Sequence, residues 1–301
     1  MLGAIIGDIA GSVYEWRNVK SKEIPLFSDG CRFTDDTVMT IAIAHGLLAG
    51  ATPDSFIDSM HMFGKLYPDA GYAEMFYVWL HSGDREPYNS WGNGSAMRVS
   101  PCAWYADSLD AAEKLAADSA AVTHNHPEGI KGAQATSAAI YLARTGSSHE
   151  EIRGYIEKKY GYDLSRKLND IRPNYSFDVS CQGSVPEAII AFLESTGFED
   201  AIRNAISIGG DSDTIAAITG SIAEAAYSIP NSFIDILIEH LDDNLSAVIN
   251  AWIDVKIDIS GEYLHVRYVK EKLEEAEARA ADPSTKWFSH DEFFKKAREK
   301  L

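Results

Sequence analysis

Hydrophobic residues recur along this chain at the spacing of helices. Over residues 37–48 the apolar side chains fall on every side of a helix, which predicts a buried helix at the centre of the molecule. Thr52 and Pro53 are typical of an N-cap and a first helical residue, and Ser148 with Glu151 forms a capping box. We predict further helices over residues 96–106, 109–122, 127–144, 148–161, 186–194, 200–208, 215–227, 233–252 and 263–281, and a final helix capped by Ser289 and Glu292.

Strand signals are almost absent from the pattern. No segment alternates polar and apolar residues as half-buried strands do, although Val179 could belong to a short extended piece. No repeat of fixed period and no linker divides the chain, so we predict a single all-α domain over residues 1–301. Near the start, Gly3, Gly7 and Gly11 recur every four residues, a spacing that lets a neighbouring helix of a soluble bundle pack closely.

Composition and charge narrow the class of protein. A hydrophobic fraction of 46% in 301 residues is ample for a large core. The formal net charge is −18 and no basic block stands out, which argues against a nucleic-acid or acidic membrane surface. The three cysteines lack the spacing of a zinc site or a disulfide framework and fit the reducing cytoplasm. No apolar run reaches the ~20 residues of a membrane-spanning helix, and the short apolar start favours a buried helix over a signal peptide.

Two acidic turns are the main candidates for chemistry. The sequence GGDSDT occupies residues 209–214 and TDDT occupies residues 34–37, each at the head of an apolar run. Either turn alone is also typical of a helix cap, because Asp, Ser and Thr are the usual capping residues. Together they offer hard oxygen ligands, which suit Mg²⁺ or Mn²⁺, and so much negative charge suits two cations better than one. The candidate ligands are Thr34, Asp35, Asp36, Asp211, Asp213 and Thr214.

Three other features could serve the same cleft. Glu15 lies one helical turn after Gly11, where it could act as a general base, although an isolated acid is more often a solvated helix end. A glycine-containing loop could approach a phosphate, and its Trp91 could either stack on an adenine or pack in the core. His124 is a candidate hydrogen-bonding residue. The loop residues are Ser90, Trp91, Gly92, Asn93, Gly94 and Ser95.

The order of these motifs resembles that of the ADP-ribosylglycohydrolase family, which includes the dinitrogenase-reductase-activating glycohydrolases. The matching stretches are GDIAGSVYE at residues 7–15, TDDT at 34–37, GNGSAMR at 92–98, THNH at 123–126 and GGDSDT at 209–214, with VPEA at 185–188 similar to a further family stretch. Each motif alone is weak evidence for the family, but all five would rarely match in this order by chance. The resemblance covers roughly residues 1–230.

The resemblance implies an all-α fold with two Mg²⁺ or Mn²⁺ ions in a cleft, held by the six candidate ligands. It implies that the loop over residues 90–95 binds the diphosphate and ribose of ADP-ribose, that His124 contacts the diphosphate and that Trp91 stacks on the adenine. A water activated by the metals would be deprotonated by Asp36 or Glu15 and attack the anomeric carbon. The candidate catalytic residues are Asp35, Asp36 and Glu15.

The expected activity is therefore metal-dependent cleavage of the bond between ADP-ribose and an acceptor. The alternatives are a non-catalytic member that binds ADP-ribose or a nucleotide, and a phosphohydrolase that cuts the diphosphate. The expected partner is an ADP-ribosylated substrate, with nucleic acid involved only as a modified acceptor. The acceptor (arginine, serine, a small molecule or a base) and the oligomeric state cannot be read from the sequence, and we expect the loops over residues 19–32 and 69–88 to select the acceptor.

Overall fold

The computed structural model describes residues 1–260 and 266–281 and confirms the all-α prediction. Within these ranges the only β-type pairing is an isolated antiparallel bridge between Gly92 and Ser180, next to Val179. The helices are α1 (Leu2–Gly11), α2 (Asp35–Leu48), α3 (Pro53–Leu66), α4 (Glu74–Ser82), α5 (Gly94–Met97), α6 (Ser100–Tyr105), α7 (Leu109–Ala121), α8 (Pro127–Arg144), α9 (His149–Tyr160), α10 (Leu168–Ile171), α11 (Cys181–Leu193), α12 (Phe198–Ile208), α13 (Ser212–Ala226), α14 (Asn231–His240), α15 (Asp243–Ser260) and α16 (Val266–Ala281).

Helices α1 and α13 form the most extensive helix pair among the described residues, and glycines bring their backbones together. A Cβ atom on Gly3 would overlap the carbonyl oxygen of Gly220, and one on Gly7 would overlap that of Ala216. A Cβ on Gly11 would lie 2.5 Å from the Cα of Asp213. The four-residue glycine spacing therefore predicts the right packing, and it sets α1 directly against the start of α13.

Several of the remaining helices surround this pair. Helices α8, α11 and α12 all pack against α13, while α2 contacts both α1 and α13. The buried hydrophobic side chains of these elements belong to one cluster that also includes residues of α14, α15 and α16. The N-termini of α2 and α13, each preceded by one of the acidic turns, thus lie in the middle of a packed structure.

Capping signals predicted several helix ends correctly. The Thr52 side chain accepts a hydrogen bond from the N–H of Ser55 at the start of α3. Ser148 and Glu151 form the predicted capping box of α9, which ends at Gly161 with a φ of 71°. That left-handed backbone conformation favours glycine.

Four predicted segments need correction. Residues 233–252 form two helices, because the carboxylate of Asp242 accepts from the N–H groups of Asn244 and Leu245 and begins α15. Helix α11 begins at Cys181, capped by Ser180, so Pro186 lies inside it and does not start it. Residues 96–106 belong to two short helices, and residues 69–88 contain α4 instead of being all loop. The predicted cap at residues 289–292 lies outside the described residues.

Replacing Gly7 with alanine should destabilise the protein strongly. The added methyl group would overlap the backbone of Ala216, and a backbone cannot move aside as a flexible side chain can, so we expect a loss of about 1–3 kcal/mol or more. Urea denaturation of the two proteins measures the change.

The matched control is Gly154→Ala, on the exposed side of α9 with open space around its Cβ position. It should stabilise the protein by roughly 0.5–1 kcal/mol, the usual gain for alanine over glycine within a helix. Equal effects of the two substitutions would show that α1 and α13 are not in close contact.

Candidate metal centre

The structure brings the two acidic turns together. The hydroxyl of Thr214 donates a hydrogen bond of 3.2 Å to the Oδ2 atom of Asp36, although the two residues are 178 positions apart. Carboxylate oxygens of Asp8, Asp36 and Asp213 all lie within 4.8 Å of one another, and all three residues are buried. The starts of α2 and α13 therefore share one acidic centre.

A second group of acids adjoins the first. Oxygens of Glu15, Asp211 and Asp213 also lie within 4.8 Å of one another, so Asp213 belongs to both groups. Within these two groups only Glu15 is partly exposed. The centre therefore extends from a buried group around Asp36 to a more open group around Glu15.

Asp8 is a central residue that sequence reasoning did not select. It lies on α1 and accepts hydrogen bonds from both the N–H and the hydroxyl of Thr34, at 2.8 and 2.6 Å, and from both groups of Thr37. These bonds fix the turn that carries Asp35 and Asp36. The signal that could have found it is a single charged residue in a glycine-spaced helix whose ten residues are all buried.

Helix capping accounts for one of the two turns but not for the other. Thr34 is the N-cap of α2, and its hydroxyl accepts from the N–H of Asp36. Asp211 occupies the N-cap position of α13 but makes no capping hydrogen bond with its side chain. Its Oδ2 atom instead accepts a 2.7 Å bond from the side-chain amide of Asn93. The carboxylate of Asp211 is thus directed away from its helix and towards the predicted ligand loop.

Burial and mutual repulsion dominate the electrostatics of this centre. Burial, followed by the charges of Asp8 and Asp211, raises the pKa of Asp35 to about 8. Burial and the charge of Asp211 raise the pKa of Glu15 to about 7. The pKa values of Asp36 and Asp213 lie well above the ordinary range for the same two kinds of cause.

The surroundings of these acids suit a bound divalent cation, because the described part of the protein does not itself neutralise their charges. In the described ranges, none of them forms a salt bridge with a lysine or arginine. The Oδ1 atom of Asp36 is buried and has no hydrogen-bond partner, which is costly for a carboxylate oxygen. Clustered carboxylates and hydroxyls are the ligands that Mg²⁺ and Mn²⁺ prefer.

Asp35 lies at the edge of the centre. Its N–H donates to the carbonyl oxygen of Ala70, and its side chain, which is partly exposed, faces the backbone near Gly71. It belongs to neither group of three acids. Of the candidate ligands it is therefore the one placed farthest towards the surface loop that precedes α4.

The glycine-containing loop lies beside His124. A Cβ on Gly94 would be 3.2 Å from the Nε2 atom of His124, and one on Gly92 would be 3.6 Å from it. Because both residues are glycines, the space next to this nitrogen is left free of side chains at these two positions. Asn93 links this loop to the acidic turn at residues 209–214 through Asp211. Trp91 is 47% exposed, which contradicts the possibility that it packs in the core.

Two predicted loop residues use their hydroxyl groups within the protein. The Ser90 hydroxyl accepts from the N–H of Gly92. Ser95 is fully buried, and its hydroxyl donates to the carbonyl oxygen of Gly129 at 2.7 Å. The Ser95 hydroxyl therefore ties the loop to the first turn of α8.

The segment after Glu15 is held against the acidic turn at residues 209–214. The side chain of Asn18 accepts from the N–H of Gly210, and Lys20 donates to the carbonyl oxygens of Tyr175 and Ile208 at 2.7 and 2.6 Å. Both Gly209 and Gly210 have positive φ values, of 71° and 77°, as a glycine turn of this shape requires. Glu15 is thus positioned beside Asp211 by contacts on the following residues.

The structure is thus that of an all-α protein with an acidic centre that could hold a metal ion, at the meeting point of two helix starts and beside a glycine-containing loop and a buried histidine. The profile of the family described as ADP-ribosylglycohydrolase matches residues 1–261, so the chain belongs to the ADP-ribosylglycohydrolase family. This confirms the resemblance found in the motifs, and an ADP-ribosyl hydrolase is the activity that membership supports.

Individual relatives agree with this family. The chain is 28% identical to ADP-ribosylhydrolase ARH3 of Mus musculus, over 76% of this chain and 83% of that protein. It is 24% identical to ADP-ribosylarginine hydrolase Tri1 of Pseudomonas putida, over 76% of this chain and 70% of that protein. A solved structure, described as an ADP-ribosylglycohydrolase-related protein complex, shares the fold with a TM-score of 0.63 at 22% identity, over 85% of this chain and 97% of the other.

Membrane insertion receives no support from the helices. None of those in the described ranges combines the length and the apolar character that crossing a membrane requires.

The metal-free protein should lose stability as the pH rises from about 4 to 8. The pKa values of Glu15 and Asp35 are raised in the folded state to about 7 and 8, so folding favours their protonated forms. Their contribution to stability is complete below the unfolded pKa of about 4 and is lost as the pH passes the folded values.

Urea denaturation of chelator-treated protein across this range measures the effect. Saturating Mg²⁺ should remove the decline, because a cation stabilises the ionised carboxylates, and Glu15→Gln should make it shallower. A metal-free protein whose stability is constant or increases over this range would contradict the arrangement of acids described above.

Proposed function

We propose that this protein is a metal-dependent hydrolase that cleaves the glycosidic bond between ADP-ribose and an acceptor and releases ADP-ribose. The observation that carries the proposal is the presence of two sets of three acidic residues that share Asp213. Within them the Oδ1 atom of Asp36 is buried and has no hydrogen-bond partner. Such a centre keeps its carboxylates ionised at neutral pH only with positive charge inside it. Family membership supplies the class of substrate.

The proposed metals are two Mg²⁺ or Mn²⁺ ions, because the two groups provide neighbouring sets of oxygen ligands. When bound, they supply positive charge that orients the ribose hydroxyls and lowers the pKa of a water. The ligand set that we propose is Thr34, Asp35, Asp36, Asp211, Asp213 and Thr214. The structure adds Asp8, whose bonds to Thr34 and Thr37 hold one half of this set in place.

The residues of the chain have separate roles in the reaction. Asp36 is buried among the proposed ligands and is the alternative general base. Glu15 is the open member of its group, beside Asp211 and Asp213, and would act as the general base that accepts a proton from the attacking water. Water forms the bond to the anomeric carbon as the bond to the acceptor breaks, and the acceptor leaves with a proton.

The ADP portion would lie along the loop over residues 90–95. Gly92 and Gly94 leave room beside His124 for a diphosphate, and the exposed ring of Trp91 is available to stack on an adenine. The contact between Asn93 and Asp211 connects this binding region to the acids. This hydrogen bond fixes the position of the loop relative to the acids.

Changing Asp213 to asparagine should abolish turnover. Asp213 belongs to both acid groups, so its loss affects both cation positions, and we expect a decrease in the rate on the order of 100-fold or more. Release of ADP-ribose from arginine-, serine- and base-linked substrates, with Mg²⁺, with Mn²⁺ and with chelator, measures it. The arginine-linked substrate is included because Tri1 is named an ADP-ribosylarginine hydrolase.

The matched control is Asp110→Asn, an exposed acid in the first turn of α7 that removes the same charge and should retain full activity. Full activity of Asp213→Asn, or activity that chelator does not change, would reject metal-dependent hydrolysis. Binding of ADP-ribose without turnover of any substrate would instead identify a non-catalytic member. AMP and ribose phosphate among the products would identify a diphosphate hydrolase.

Changing Glu15 to glutamine should lower kcat by roughly 10²–10⁴, the usual contribution of a general base, while the protein still binds Mn²⁺. Calorimetric titration with Mn²⁺ and steady-state kinetics separate the two effects. Glu23→Gln is the matched control, because Glu23 is exposed in the same segment. An unchanged kcat in Glu15→Gln would remove Glu15 from the mechanism and leave proton transfer to Asp36.

A further inference from the structure

Arg98 is an unusual buried cation. It follows α5 and is 1% exposed, yet among the described residues no carboxylate lies within salt-bridge distance of its guanidinium group. Its Nη2 atom donates to the hydroxyl of Thr123 at 2.7 Å and to the carbonyl oxygen of Ser119 at 3.3 Å, while its Nε has no partner. Burying a charge without a counter-charge is costly, so a position that keeps one calls for an explanation.

The bond from Arg98 decides which way the Thr123 hydroxyl points. A guanidinium group can only donate, so the oxygen of Thr123 accepts. The same oxygen lies 2.8 Å from the Nδ1 atom of His124, and in the described part of the chain no other acceptor for its hydrogen is present. The Thr123 hydrogen therefore goes to Nδ1 of His124, and Nδ1 accepts.

A histidine that accepts at Nδ1 carries its hydrogen on Nε2 when it is neutral. Burial, and then the charge of Arg98, lowers the pKa of His124 well below its usual value, so the ring is neutral at physiological pH. Its Nε2 atom faces Gly92 and Gly94 at the positions where a side chain would otherwise lie. The ring thus presents its one N–H group to the open side of the loop.

We propose that Arg98 and Thr123 are positioning residues that hold His124 as the neutral tautomer with its hydrogen on Nε2, ready to donate to a diphosphate oxygen of the substrate. The identity of that ligand rests on the proposed function, whereas the tautomer does not. The opposite tautomer would point a lone pair at the phosphate and repel it. The unpaired charge of Arg98 behind the ring adds attraction that a protein with a net charge of −18 otherwise lacks at this place.

The tautomer can be measured directly in the wild-type protein. Two-bond proton–nitrogen correlation spectra of protein labelled with ¹⁵N-histidine distinguish the protonated from the unprotonated ring nitrogen, and His124→Gln identifies the signals of His124. We expect a neutral ring with the hydrogen on Nε2. A hydrogen on Nδ1, or a doubly protonated ring at pH 7, would overturn the inference whether or not the protein hydrolyses any substrate.

The hydrogen-bond relay from Arg98 through Thr123 to His124 is tested with Thr123→Val, which keeps the shape of the side chain and removes its hydroxyl. We expect the Nε2–H preference to weaken, ADP-ribose to bind about tenfold more weakly in calorimetry, and the KM to rise by a similar factor with kcat nearly unchanged, because His124 contacts the diphosphate and not the reacting carbon. Thr123→Ser restores the hydroxyl and should rescue both the tautomer and the affinity.

The matched control is Thr136→Val, since Thr136 is fully buried and its hydroxyl has no hydrogen-bond partner. It should change neither the spectra of His124 nor the affinity. If Thr123→Val keeps the wild-type tautomer and affinity, the relay is wrong. If the wild-type tautomer is as expected but ADP-ribose does not bind, the proposed function fails and the positioning role of Arg98 and Thr123 stands.

Discussion

The backbone contact between α1 and α13 is the constraint on which the site depends. Three glycines on α1 let the two helices approach until their backbones touch, and the last of them, Gly11, meets α13 at Asp213. This contact sets Asp8 opposite the turn at the start of α2, and Asp8 holds that turn by hydrogen bonds. The acids are therefore positioned by rigid helix packing, which is the arrangement that gives a metal site fixed geometry.

The acids that this packing brings together repel one another. Their raised pKa values and the unpaired oxygen of Asp36 have the same cause: the site buries more negative charge than the surrounding side chains neutralise. Beside the loop over residues 90–95, Arg98 is the opposite case, a buried positive charge without a carboxylate partner. Cations bound at the acidic centre would neutralise the excess negative charge, and a diphosphate bound at the loop would neutralise the charge of Arg98. A substrate that reaches from the acids to the loop would contact both places.

The sequence predicted what depends on local signals and on motif order. The glycine spacing predicted close helix packing, the capping residues predicted α3 and α9, and the motifs identified the family. Asp8 was marked in the sequence only as the single charged residue of an apolar helix, and its role comes from a turn 26 residues away that no local pattern specifies. The break before α15 was missed because Asp242 acts as a cap within an otherwise continuous apolar pattern. The burial of the Ser95 side chain depends on α8, which no local pattern specifies.

The most direct test of this account is a crystal structure with Mn²⁺, located by its anomalous scattering. The account predicts two manganese peaks in contact with a shared Asp213, one also near Asp36 and the other also near Asp211 and Glu15. Crystals grown with saturating Mn²⁺ that show no peak at these acids, or Asp36 and Asp213 too far apart to share a centre, would contradict it.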